Sequence, residues 1–159
     1  MRKEIKKNAA LELNPNVSVD CVIFGFDFDK LNVLVINRHG ADGVRWALPG
    51  NLIYDDEHLD QAADRVLEEL TGLQHIYLEQ IGAFGDPNRI SKESDRSWLQ
   101  SIRAQPEARV ITVAYFSLVK MEDYQPQPSS FAKSAEWIPV NEIKELAFDH
   151  FDILQSAKS

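Results

Sequence analysis

The sequence predicts an α/β fold in which helices cover a mixed β-sheet. Strand-like runs, rich in valine, isoleucine and phenylalanine, occur before, between and after two or three helical segments. That order is typical of a sheet with helices packed on its faces. The chain has 159 residues, a length that fits one domain and can bury a sizeable core.

The first half of the chain contains two strands and one strongly patterned helix. Strands are expected at 17–26 and 31–37, joined by DFDK as a hairpin turn. Over 59–71, apolar side chains recur at spacings of three and four, which predicts a helix with one buried stripe. Gly72 follows at the position where a left-handed residue usually ends a helix.

The second half alternates strands with long loops. Strands are expected at 75–84, 109–120 and 135–140. The loop over 85–108 is long enough to suggest a functional role, and its segment 94–103 has the pattern of a short amphipathic helix. A second loop covers 122–134. Asn141 is expected to cap a helix through Leu146, and a last helical segment begins near residue 151.

Composition narrows the class of protein. The formal net charge is −8, which argues against nucleic acid as a direct partner of this chain. The single cysteine, Cys21, cannot form an internal disulfide, and no apolar run has the length of a membrane span or of a secretory signal. We therefore expect a cytoplasmic protein with no membrane partner, residues 1–14 forming a polar arm and residues 15–159 the folded domain.

Charged residues cluster on the helix over 59–71 and in the loop before it. Glu57, Glu68 and Glu69 lie beside Arg65. Taken alone, they fit a solvated helix face on which Arg65 and Glu69 pair at i,i+4. A longer pattern around them favours a second interpretation.

Residues 48–73, LPGNLIYDDEHLDQAADRVLEELTGL, resemble the Nudix motif. That motif is a glycine, five residues, a glutamate, seven residues and R-E-U-x-E-E-x-G-U, where U is aliphatic. Glu57, Arg65, Glu69 and Gly72 fall on motif positions without a gap, and a pattern this long is far more specific than a lone glycine motif. The resemblance implies a Nudix fold, an α/β/α sandwich with a mixed sheet.

The departures from the motif bear on catalysis. Val66 and Leu70 stand where two helix carboxylates belong, and Asn51 replaces the glycine. In active members, three helix glutamates share one face and hold Mg²⁺. Only Glu69 remains, because Glu68 is rotated about 100° around the helix.

The resemblance therefore makes Glu69 the remaining catalytic and metal-binding candidate. It implies that Glu57 and Arg65 pair to hold the loop against the helix. Mg²⁺ is expected only if the protein is hydrolytic, with Asp55 and Asp56 as further ligands. Otherwise no cofactor is expected.

Three other stretches resemble the Nudix-related transcriptional regulators: FGDPNR at 84–89, RVITVAYFSLV at 109–119 and LAFDH at 146–150. This resemblance covers residues 17–155. In such regulators a Nudix domain senses ADP-ribose or a phosphorylated sugar, a C-terminal winged helix binds DNA, and the protein is a homodimer. We expect the winged helix to be absent from this chain.

Ligand contacts are expected from arginines and from the end of the domain. Arg89 and Arg109 flank the long loop and are candidates for a clamp on a diphosphate, as is Arg38. The alternative for each is a solvated loop arginine. Trp46 is a candidate for stacking on an adenine, or else packs in the core. Asp149 and His150 are candidates for closing the pocket or orienting a ribose hydroxyl, with a helix N-cap as the alternative for Asp149.

Three functions follow from these patterns. The leading one is a domain that binds ADP-ribose or a related nucleoside diphosphate or phosphorylated sugar, with little or no hydrolase activity. The second is a Mg²⁺-dependent Nudix hydrolase of nucleoside diphosphate derivatives. The third is a protein-interaction module that binds no nucleotide. A damaged catalytic motif favours the first, but fold does not fix function.

Overall fold

A computed structural model describes residues 12–38, 45–126 and 134–158 of the chain. Its strands are β1 Leu13–Asp27, β2 Lys30–Asn37, β3 Trp46–Ala47, β4 Gly50–Tyr54, β5 Glu79–Phe84, β6 Ile111–Lys120 and β7 Ala135–Pro139. Its helices are α1 Leu59–Thr71, α2 Glu93–Ile102 and α3 His150–Lys158. Two short 3₁₀ turns span Met121–Asp123 and Val140–Glu142. No helix in these ranges is long and apolar enough to cross a membrane.

The described strands form one mixed sheet. Its order is β3-β2-β1-β6-β5, with β4 paired to β1 and β7 paired to β2. The long β1–β6 pair is parallel, from Val17 opposite Ile111 to Phe26 opposite Lys120. The other pairs are antiparallel. The predicted mixed sheet is confirmed.

Helices lie on both faces of this sheet. Alternate residues of a strand point to opposite faces, and in β1 Cys21 packs into the core under α1 while Val22 packs into the core under α3. The core under α1, called the first core, contains the apolar stripe of this helix: Ala62, Ala63, Val66, Leu67 and Leu70. The core under α3, called the second core, contains Ile153 and Leu154. The α/β/α sandwich is therefore confirmed.

Local sequence signals placed several elements correctly. The helix α1 has the predicted bounds, and Gly72 ends it with φ 78°, a left-handed conformation that costs glycine little. The predicted hairpin turn lies between Asp27 and Lys30, which face each other across β1 and β2. The short helix expected in the long loop is α2.

Other element predictions were wrong. The strand expected from His75 begins only at Glu79, because His75 has φ 61° and breaks the extended chain. The helix expected from Asn141 is only the 3₁₀ turn, because Ile143 and Leu146 anchor an irregular segment in the second core. β1 begins at Leu13, inside the expected arm. Residues 1–11 of that arm lie outside the described residues, so the domain boundary stays a prediction.

Candidate functional site

Arg65 joins the loop before α1 to the helix. Its Nε donates to Glu57 Oε2 at 2.5 Å, and its Nη2 donates to Glu57 Oε1 at 3.0 Å and to the Leu52 carbonyl at 3.1 Å. Glu57 Oε1 also accepts the Tyr54 backbone N–H. Arg65 Nη1 donates to Glu69 at 2.9 Å. The loop–helix pairing and the i,i+4 pair predicted as alternatives therefore occur together.

The pKa values of Glu57 and Arg65 are both shifted toward the charged form of the side chain. Partial burial raises the pKa of Glu57, but hydrogen bonds from Arg65 and the Tyr54 amide outweigh it, so the pKa lies below its ordinary value. For Arg65, burial lowers the pKa and Glu57 and Glu69 raise it, with a net upward shift. Both groups stay ionised near neutral pH.

Two motif positions where the family has helix carboxylates carry apolar side chains in this chain. Val66 and Leu70 are 0% and 1% exposed and pack among the apolar residues of the first core. In the described ranges, no group of three or more His, Cys, Asp or Glu side chains converges in a way that could hold a metal ion. Arg65 contacts both Glu57 and Glu69, so its single positive charge is shared between the two carboxylates. These residues alone do not fit Mg²⁺, which needs several oxygen ligands.

A second polar network surrounds Asp20, in the middle of β1. Asp20 is 4% exposed. Its Oδ2 accepts the Thr112 hydroxyl at 2.7 Å and lies 3.7 Å from Arg89 Nη2. Burial raises the pKa of Asp20, but His150, Arg89 and Thr112 together hold it below its ordinary value. A buried carboxylate thus stays charged at the centre of the domain.

His150 joins this network to the loop that contains the LPG sequence. Its Nδ1 accepts the Leu48 backbone N–H at 2.9 Å, so the ring proton lies on Nε2. Nε2 is 3.3 Å from Asp20 Oδ1. Gly50, the first residue of β4, must lack a side chain because a Cβ there would lie 1.8 Å from Asp20 Oδ1. The glycine that the fold requires is therefore Gly50 and not position 51.

Arg89 and Asp149, both predicted ligand contacts, contact each other. Arg89 donates from Nε and Nη2 to the Asp149 carboxylate at 3.1 and 2.9 Å. The Asp149 carbonyl accepts the N–H groups of Asp152 and Ile153 at the start of α3. The carboxylate is thus occupied by Arg89, while the main chain begins the helix.

Arg38, a candidate ligand contact, lies in the interior of the described part, and its contact with a ligand stays a prediction. It is fully buried, with Nη1 2.5 Å from Asp95 Oδ1. Its guanidinium also stacks on the rings of Trp98 and Phe148, at 5.2 and 5.7 Å from the centroids. Asp95 accepts the Phe148 N–H as well. Arg38 therefore ties β2 to α2 and to the segment before α3.

Trp46 is partly buried and packs against the second core, with the Arg45 guanidinium 5.1 Å from its ring centroid. Its carbonyl accepts the Ala147 N–H. The core-packing interpretation describes these contacts. Stacking on a base stays a prediction.

Arg89 and Arg109 both line an open cavity of about 480 Å³. The cavity lies between the segment after β5, α2 and the start of β6. Arg96 and Gln100 of α2 line it too, together with Asp86 and Glu107. The long loop therefore builds one wall of the cavity. No side chain from the Glu57–Arg65–Glu69 network lines it.

Sequence reasoning missed four polar residues of the interior, the buried Asp20, Asp95 and Thr112 and the partly buried Arg103. Asp20 and Thr112 are single polar residues within apolar runs, whereas Asp95 lies in a polar stretch. Neither pattern indicates a buried polar network until the partner residue is known. Arg103 lies beside Asp20 and Arg89, and burial, opposed by Asp20 and reinforced by Arg89, lowers its pKa to about 10.

Comparison with known proteins supplies the family. Residues 14–157 match the NUDIX domain. The chain belongs to the NUDIX family. This Nudix chain is 34% identical, over 149 residues, to the ADPR responsive transcriptional repressor NtrR of Acinetobacter baylyi, covering 91% of the chain and 53% of the repressor. It thus spans about half the length of that relative. It is 25% identical over 155 residues to an ADP-ribose pyrophosphatase of Methanocaldococcus jannaschii, covering 98% of the chain and 80% of that protein.

Solved structures agree with the fold. The NUDIX domain of Shewanella oneidensis NrtR, complexed with ADP ribose, superposes with a TM-score of 0.73 and 25% identity, covering 98% of this chain and 96% of that one. A second structure of Shewanella oneidensis NrtR superposes with a TM-score of 0.69 and 28% identity, covering 90% and 62%. The Nudix chain is thus similar to a repressor named as ADPR responsive, to a NUDIX domain solved with ADP ribose and to an ADP-ribose pyrophosphatase.

Proposed function

We propose that this Nudix domain binds ADP-ribose or a related nucleoside diphosphate sugar, as the sensing part of a transcriptional regulator, with little or no hydrolysis. The observation that carries the proposal is the burial of Val66 and Leu70 at the positions of two metal-binding carboxylates. Apolar side chains there supply no oxygen ligands for Mg²⁺. Without a bound metal ion, the usual route to a nucleophilic hydroxide is lost.

Ligand binding is supported by the open cavity and by the relatives. Arg89 and Arg109 line that cavity, and planar guanidinium groups suit phosphate oxygens. The Acinetobacter relative is named as responsive to ADPR, and the Shewanella domain was solved with ADP ribose. A homodimer and a cytoplasmic location belong to the same proposal, as does the absence of direct contact between this chain and nucleic acid.

Hydrolysis of ADP-ribose is the second candidate. It is favoured by the identity to the archaeal pyrophosphatase over 80% of that protein and by the retained Glu57, Arg65 and Glu69. In this case Mg²⁺ would be held by Glu69 together with substrate phosphates, and Asp55 and Asp56 are further candidates in the nearby loop. Glu69 is partly exposed, which keeps it accessible.

One titration distinguishes the candidates. ADP-ribose is titrated into the chain by calorimetry with and without Mg²⁺, and each mixture is then assayed for AMP. Binding that needs no metal and leaves ADP-ribose intact is the expected result. Release of AMP only with Mg²⁺ would establish the hydrolase instead. Absence of binding under both conditions would leave the interaction module as the better description.

A further inference from the structure

The cavity of about 480 Å³ contains an arginine that neither the motif nor the strand ends pointed to. Arg96 lies in the first half of α2, inside the long segment between β5 and β6, and lines the cavity with Arg89 and Arg109. Three guanidinium groups around one open cavity are notable in a chain whose net charge is −8.

These arginines differ in how many donors they have left for a ligand. Arg89 is 9% exposed, and Asp149 already accepts two of its hydrogen bonds. Arg109 is exposed and gives one hydrogen bond, from Nη2 to the Gly85 carbonyl at 2.7 Å. The ion pair of Arg96 among the described residues is a long one, 3.9 Å to the exposed Glu93. Arg96 and Arg109 therefore have the most donors available.

Two carboxylates line the same cavity, those of Asp86 and Glu107. Their oxygens accept hydrogen bonds from hydroxyl groups. Guanidinium groups that donate hydrogen bonds, beside carboxylates that accept them, therefore suit a sugar that carries phosphate groups. Each guanidinium fork matches the oxygens of one phosphate group.

We propose that Arg96 is a ligand-binding residue which, with Arg109, selects a diphosphate over a monophosphate. This inference rests on the proposed function and deepens it, because it assigns the phosphate-binding role to α2. One guanidinium contacts each phosphate group, and the cavity carboxylates accept ribose hydroxyls. A monophosphate leaves one of the two arginines without a partner.

The test compares Arg96→Gln with Lys92→Gln. Lys92 immediately precedes α2, is exposed and does not line the cavity, so its substitution removes the same charge from the same region. Calorimetry with ADP-ribose, inorganic pyrophosphate and AMP is run on the wild-type chain and both variants. Arg96→Gln is expected to weaken the binding of ADP-ribose and of pyrophosphate about tenfold. The binding of AMP should weaken less than about threefold. Lys92→Gln should change each affinity less than about twofold.

The outcomes separate this inference from the proposed function. If ADP-ribose binds equally well to the wild type and Arg96→Gln, the role of Arg96 is overturned while the function stands. Equal weakening of AMP and ADP-ribose overturns the selection of a diphosphate. If pyrophosphate binding depends on Arg96 but ADP-ribose does not bind, the phosphate site stands and the function fails. If neither probe binds the wild type, both are overturned. Because the Arg96 side chain is about half exposed, Arg96→Gln is expected to keep the unfolding temperature of the wild-type chain.

Discussion

Arg89 holds Asp149 through two hydrogen bonds, at 3.1 and 2.9 Å, although the two residues lie 60 positions apart. The side chains are 5% and 13% exposed. Arg89 lies in the segment after β5 and lines the cavity, and Asp149 immediately precedes α3. The pair therefore connects the cavity-lining segment after β5 to the start of α3.

Breaking this pair from one side should be costly. Arg89→Met removes the cation that contacts the Asp149 carboxylate and weakens the compensation of the nearby buried charge on Asp20. We expect a loss of about 3 kcal/mol in the free energy of unfolding, measured by urea denaturation. The double variant Arg89→Met/Asp149→Leu should lose less than the sum of the single variants, because fewer buried charges are unpaired. Strict additivity would show that the two side chains are not coupled.

The charge on Asp20 predicts how stability depends on pH. Its pKa in the folded protein is lowered, so its contribution is present above the unfolded pKa of about 4. That contribution disappears as the pH falls through the lower folded-state value. Asp20→Asn should cost about 2 kcal/mol at pH 7, with the difference from wild type shrinking below about pH 4.

Urea denaturation of both proteins between pH 3 and pH 7 measures this difference. Thr112→Val is a suitable companion, since it removes one hydrogen bond to Asp20 and keeps the charge. A wild-type advantage that grows as the pH falls would contradict the lowered pKa of Asp20.

The two glutamates that contact Arg65 should differ in their contribution to stability. Glu57 is 13% exposed and accepts bonds from Arg65 and from the Tyr54 amide, whereas Glu69 is 39% exposed. Glu57→Gln is expected to cost about 1.5 kcal/mol, and Glu69→Gln less than about 0.5 kcal/mol because solvent screens the pair. Thermal unfolding of both variants measures the contrast. Equal losses would mean that the loop–helix pairing has no special role.

The sequence predicted the features whose signals are local. The stripe of α1 and the stop at Gly72 need no knowledge of distant residues, and the motif placed Glu57 beside Arg65. The helix expected near Asn141 failed because Ile143 and Leu146, three positions apart, have a spacing that suits a helix but is also met by an irregular segment anchored in the core.

The sequence could not predict which buried polar side chains pair, because the partners lie far apart along the chain. Asp20 meets Thr112 92 positions later, and Arg38 meets Asp95 57 positions later. The sequence made Arg38 a candidate phosphate contact because it lies at the end of the second strand, with a solvated loop arginine as the alternative. The fold instead buries it against Trp98 and Phe148 and pairs its Nη1 with Asp95, while Nε and Nη2 have no hydrogen-bond partner among the described residues.

Restoring the lost carboxylates tests why the domain is expected to be inactive. Val66→Glu/Leu70→Glu puts two charges at buried positions of α1, so the free energy of unfolding should fall by about 3 kcal/mol or more without metal. If these positions border a metal site with Glu69, Mg²⁺ binds the folded state and raises the unfolding temperature. AMP should then be released from ADP-ribose only in the presence of Mg²⁺.

The control is Val66→Gln/Leu70→Gln, which has nearly the same shape but no charge. It should lose stability and show no response to Mg²⁺, because neutral amides are weaker ligands for a hard cation. If the double glutamate variant does not fold, Leu70→Glu alone is measured with Leu70→Gln as its partner. A folded glutamate variant that neither gains stability from Mg²⁺ nor cleaves ADP-ribose would refute the explanation based on the two missing carboxylates, since both the charge and the scaffold would then be in place.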